Sequence, residues 1–163
     1  MGGDDRLWEE GVLDLSAPSN IQQLQYRPVL IAFTEHCDSL VKDSVKDALE
    51  ECRASVSFPV TVPRLSRNDL MVGTVEEASR VSEVLRTLCG MPDARSNIPQ
   101  FAILDLSTER AFGNLTWDTD SFRDMLATGA LKTTVVDALE DMTTRFLDYS
   151  LQPRKVDIGS LSI

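Results

Sequence analysis

The chain has 163 residues, 42% of them hydrophobic, and sets 16 Lys and Arg against 26 Asp and Glu for a formal charge of -10; that length suits one domain, burying roughly two-thirds of its unfolded surface. The basic residues are scattered (Arg27, Lys42, Lys46, Arg64, Arg67, Lys132), which excludes the basic face that nucleic acid or an anionic membrane would need, and no apolar run approaches the ~20 residues that cross a bilayer. Cys37, Cys52 and Cys89 are an odd set without Cys-x-x-Cys spacing, so no disulfide framework is expected; with no basic and apolar export region at the start, the expected location is the cytoplasm or another reducing compartment.

Residues 1–10 are acidic and glycine-bearing and are expected to form a flexible N-terminus. Val12-Leu-Asp-Leu15 alternates and can add a short strand, and residues 18–25 read as a short helix with Ile21 and Leu24 on one face. Arg27-Pro28 ends it, because the residue before a proline is pushed out of the helical region. Residues 29–33 are continuously apolar, the pattern of a strand covered on both faces. From Asp38 to Cys52 the apolar positions Leu40, Val41, Val45, Ala48, Leu49 and Cys52 follow helical spacing.

Residues 56–62 are β-branched and aromatic and predict a second strand, with Pro59 placing it at an edge or a bulge. Residues 63–73 then read as a loop, and Thr74-Val-Glu-Glu77 fits a capping box opening a helix over 75–88 that Gly90 and Pro92 stop. A hairpin is expected from strands at 101–106 and 110–115. Asp118 or Thr119 caps a helix carrying Phe122, Met125 and Leu126, which Gly129 interrupts, and a last helix spans 131–147. Residues 148–163 form a tail whose alternating end, Val156 to Ile163, could extend the sheet or pair with another chain's edge, a route to self-association.

Cys37 stands at the join of the apolar strand and the first helix, where unpaired N–H groups and the helix dipole favour a thiolate. Glu35 and Asp38 oppose that as like charges. One turn on, where a dithiol oxidoreductase needs a second thiol to displace a mixed disulfide, stands Leu40. Cys52 and Cys89 fall on apolar helical faces and read as small buried hydrophobes. His36 adjoins Cys37, but neighbours in an extended segment point to opposite sides, so no dyad is expected. No metal and no cofactor is expected, since no third ligand has the right spacing and the chain has no glycine-rich phosphate loop. The pairs Glu76 with Glu77 and Asp118 with Asp120 sit at predicted helix starts and read as caps.

A strand leading into a cysteine-bearing helix, a crossover to a second strand, and Ile98-Pro99 before a hairpin resemble the thioredoxin-like family over residues 11–147. The chain looks most like members whose motif has decayed, with His36-Cys37-Asp38-Ser39-Leu40 where the family has Trp-Cys-x-x-Cys. A weaker resemblance, carried by residues 103–110 as strand and turn, is to the thioredoxin-like domains of ubiquitin-pathway adaptors.

The resemblance implies an α/β three-layer sandwich, a central mixed sheet of four to five strands with helices on both faces. It also implies that Pro99 is a cis-proline beside the first helix, and that the backbone of Ile98 pairs with an extended peptide. The expected binding groove is Thr34, His36, Cys37, Asp38, Ile98 and Pro99. The expected function is a redox-inactive module that binds another protein, as an adaptor or a subunit of a larger assembly. The alternative is a monothiol redox protein with Cys37 as nucleophile, or a peroxidase-like one in which Arg110 or Arg123 holds the anion.

Overall fold

Val29-Leu-Ile-Ala-Phe33 lies inside the sheet, between two other strands, and is buried along its whole length. The computed structural model describes residues 12–15, 24, 27–56, 70–91, 97–148 and 150–156. In chain order these form β1 (Leu13–Asp14), β2 (Val29–Phe33), α1 (Ser39–Val56), β3 (Met71–Val75), α2 (Arg80–Cys89), β4 (Gln100–Asp105), β5 (Arg110–Leu115), α3 (Thr119–Thr128), α4 (Leu131–Leu147) and β6 (Pro153–Lys155). The strand order is β1-β3-β2-β4-β5-β6, with β1, β3 and β2 mutually parallel and β4, β5 and β6 each antiparallel to the strand before it in that order.

The continuous apolar run of β2 follows from what covers it. Leu30 and Ala32 face a core built from Val41, Val45 and Leu49 of α1, Phe122 and Met125 of α3, and Leu139 and Phe146 of α4. Val29, Ile31 and Phe33 face the other way, onto Leu85, Leu88 and Cys89 of α2 with Leu15 and Leu24. Successive strand residues point to opposite sides, so a strand between two apolar layers cannot afford a polar position. The molecule is therefore α/β with helices on both sheet faces, as expected. Among the described residues no helix is long and apolar enough to cross a membrane.

Among the described residues the sheet has six strands rather than four or five, because a short strand is added at each edge. β1 lies against β3 with Leu13 opposite Gly73. That approach needs a glycine: a Cβ on Gly73 would stand 2.8 Å from Leu15 Cγ. At the other edge β6 pairs with β5. Residues 153–156, taken from sequence as part of a tail, are thus built into the fold. Arg154 donates to the carbonyls of Gly113 (2.7 Å) and Cys89 (2.5 Å), and Val156 is buried against the α2-side core.

The crossover strand also differs from expectation. It is Met71–Val75, not 56–62; Val56 closes α1, and residues 57–62 lie outside the described residues. Thr74 is therefore a strand residue whose hydroxyl donates to Glu76 Oε2 at 3.0 Å, and it caps nothing. The capping box belongs to Ser79 and Ser82, each accepting from the other's N–H at 2.8–3.3 Å, and α2 starts at Arg80. Gly90 ends it in the left-handed conformation. The β4–β5 hairpin, the Asp118 cap (accepting from Ser121 N–H, 2.7 Å), the stop at Gly129 and the limits of α4 agree with the sequence reading. The expected helix at 18–25 (Leu24 apart), the flexibility expected of residues 1–10 and the tail beyond Val156 fall on residues outside the described ones.

Candidate functional site

Where β2 ends, Thr34 still holds to β3, its N–H donating to Val75 O at 2.9 Å. The chain then turns, with Cys37 N–H donating to Thr34 O at 3.0 Å. Asp38 caps α1 with its side chain, accepting from Val41 N–H at 2.9 Å. From 60 residues away Asn97 closes the arrangement. Its carbonyl accepts the Cys37 thiol proton at 3.2 Å, its Oδ1 accepts from Asp38 N–H at 2.7 Å, and its Nδ2 donates to Asp38 Oδ2 at 3.1 Å. Ile98 and Pro99 follow directly, so the fold does bring the two halves of the expected groove together.

Its members differ in accessibility. Thr34, Cys37 and Pro99 are buried, Ile98 is half-buried and packs against the α1–α4 core, and His36 and Asp38 are exposed. His36 and Cys37 thus occupy different surroundings. The described residues contain no cis peptide bond, so the expected cis-proline is corrected: the Ile98–Pro99 bond is trans, the form X-Pro bonds favour by about 0.5–1 kcal/mol. Pro99 O accepts the Thr116 hydroxyl at 3.0 Å, and Trp117, next along, packs edge-on to Phe101 with ring centroids 5.9 Å apart.

Burial, with the carboxylates of Asp38 and Glu35 behind it, pushes the Cys37 thiol up to about 12, against weaker opposition from Lys42 and Arg86. The helix N-terminus does not win, because Asp38 already occupies it and the sulfur is out of water. A neutral thiol donating to a carbonyl is a poor nucleophile. Burial likewise pushes Cys52 up to about 11 and Cys89 up to about 12. Leu40, in the place of a second thiol, is 66% exposed on the first turn of α1.

Beside this lies a group the sequence reading missed. Glu35 and Arg86 form a bidentate ion pair at 2.7 and 2.8 Å, with side chains only 2% and 8% exposed. Arg86 also donates to Gln100 Oε1 and stacks over the Phe33 ring at 4.8 Å. Together with His36, Ser79, Arg80 and Glu83, the pair lines an open cleft of about 660 Å³. A signal was present: Arg86 stands among Leu85, Leu88 and Cys89 on the inward face of α2, and a cation there needs a buried partner. Its partner, 51 residues earlier, had no local mark.

Among the described residues no three His, Cys, Asp or Glu side chains are grouped to hold a metal ion. Arg110 lies at the far end of β5 from Cys37, and Arg123 pairs with Asp120 at 3.6 Å. No protein-family model, no curated protein and no solved structure matches the chain.

Proposed function

We propose that the chain is a redox-inactive, thioredoxin-like module that binds another protein at the Cys37 end of the sheet. The observation that carries this is the exposed Leu40 one turn after a buried, proton-holding Cys37. A dithiol enzyme needs a second thiol there, and a contact surface gains from an apolar side chain there. The family reading is supported by the passage from β2 through a cysteine-bearing helix to a parallel neighbour, β3, and by Asn97, which holds Ile98 and Pro99 beside Cys37. The module's surface is then Leu40, His36 and Asp38 with the half-buried Ile98. All three cysteines are free, in keeping with a reducing compartment.

Iodoacetamide labelling across pH, read by mass spectrometry, tests the thiol. Cys37 should react slowly at neutral pH, its rate still climbing toward a midpoint near 12. A fast reaction with a midpoint below the ~8.5 of a free thiol would overturn the reading in favour of a monothiol enzyme. The same shift is a stability statement. The folded pKa lies above the unfolded value, so this stabilisation is complete below pH 9.0 and is lost as pH rises toward 12. Affinity capture with Cys37→Ser and Leu40→Asp variants tests the surface: partners should persist in the first and fall away in the second. A partner lost with Cys37→Ser and released from the wild type by reductant would reverse the assignment.

A further inference from the structure

At the opposite end of the sheet the chain leaves two cations facing each other. Arg110 of β5 and Lys155 of β6 are direct cross-strand partners, both exposed, and neither has an ion-pair partner among the described residues. Val156 N–H donates to Glu109 O at 2.9 Å, which makes the 109–156 pair hydrogen-bonded and the neighbouring 110–155 pair the non-hydrogen-bonded kind. In such a pair the Cα atoms stand only about 4.5 Å apart and the side chains are closest, so like charges there are unfavourable. The acid nearest in register, Asp105, is opposite Arg110 on β4 but is buried and accepts from the Ser107 hydroxyl at 2.7 Å. In a chain with 26 acidic residues against 16 basic ones, two adjacent cations that form no ion pair among the described residues, although Glu109 lines the same cleft, call for a use.

The same hydrogen-bond parity sets the edge. Because 110–155 is not bonded to β5, the N–H and C=O of Lys155 point outward from the sheet, as does the carbonyl of Pro153, while the proline's missing N–H costs β5 no bond. Among the described residues β6 is the last strand of the sheet. An open cleft of about 420 Å³ is lined by Pro153 and Lys155 of this strand together with Thr108, Glu109 and Arg110. Glu109 holds its backbone in the left-handed region at φ 58°, a strained conformation for a non-glycine residue. A single edge lysine is a common guard against unwanted strand pairing, but Arg110 lies one strand in and guards nothing.

We propose that this edge accepts an extended acidic segment of another protein as an added strand, its carboxylates seated on Arg110 and Lys155. Backbone bonds to Lys155 and Pro153 supply the attachment, and the two cations supply the choice of sequence. The preference is local, since beyond about 8–10 Å salt screens the chain's overall negative charge. The inference is independent of the Cys37 end.

Fluorescence anisotropy with labelled hexapeptides tests it on the full chain. An alternating glutamate–valine peptide should bind at least about tenfold tighter than its lysine–valine counterpart, a difference of ~1.4 kcal/mol. N-methylation of the amides that face β6 should abolish binding. Lys155→Glu should also abolish it while raising the melting temperature, because it sets opposite charges across from each other; a folded variant that has lost the peptide separates recognition from stability. Equal binding of the two peptides, indifference to N-methylation, or unchanged binding by Lys155→Glu would each overturn the proposal. Displacement of the peptide by inorganic phosphate at comparable concentration would overturn it too, as the mark of an anion pocket without strand addition.

Discussion

The two ends of the sheet handle charge in opposite ways. Near Cys37, Glu35 and Arg86 are taken out of water together, matched in sign and bonded at two points, with Gln100 and the Phe33 ring completing the guanidinium's surroundings. At the β5–β6 end, Arg110 and Lys155 are in water, alike in sign and without an ion-pair partner among the described residues. Burial explains the contrast: a charge in low dielectric must be paired or it unfolds the site, whereas an exposed like-charge pair costs little and stays available. The buried pair fixes geometry, holding the 34–38 turn to α2, and the exposed pair leaves a potential for something outside.

The sharpest way to break this contrast is Arg86→Met, which strands the Glu35 carboxylate in the interior. It should lower stability by about 3–5 kcal/mol in urea denaturation. Adding Glu35→Leu should restore much of that. A single variant that loses under about 1 kcal/mol would mean that water reaches the pair. Next in size, Arg154→Met removes two charge-assisted hydrogen bonds, to Gly113 O and Cys89 O, and should cost about 1.5–3 kcal/mol. An unchanged melting curve would show that β6 holds without its arginine. Smallest, and opposite in sign, Lys155→Glu should stabilise by about 0.2–1 kcal/mol through its new pairing with Arg110. Destabilisation there would mean that the exposed pair is structural after all.

How much of this the sequence shows depends on range. β2, α1, the hairpin and α4 each carry a periodic or unbroken apolar pattern within a few residues, and each was readable. β3 was not, because Gly73 and the acidic Glu76 and Glu77 make Met71 to Val75 look like a loop running into a helix cap, while its strand character comes from neighbours on both sides. β6 was hidden by Pro153, Arg154 and Lys155, none of them strand formers, and is held by Val156 and by the reach of Arg154. At the candidate site the joining of Cys37 to Ile98-Pro99 had no local mark in the sequence and was expected only from the resemblance to the thioredoxin-like family. The agent of that joining, Asn97, and the Glu35–Arg86 pair act across 59, 60 and 51 residues and carry no local signature.

The placement of Arg154 also orders events during synthesis. It grips the carbonyl of Cys89, 65 residues upstream, and that of Gly113, 41 upstream. A ribosome delivers the chain from its N-terminus, so the Cys89 carbonyl at the end of α2 and the Gly113 carbonyl within β5 wait for Arg154, and the β5 edge stays bare, until residues 153–156 emerge. Folding of the sheet can start with β2, β3 and β4, but it locks only when the latest of the described strands arrives, and for that interval the nascent chain depends on whatever keeps a bare strand from pairing elsewhere.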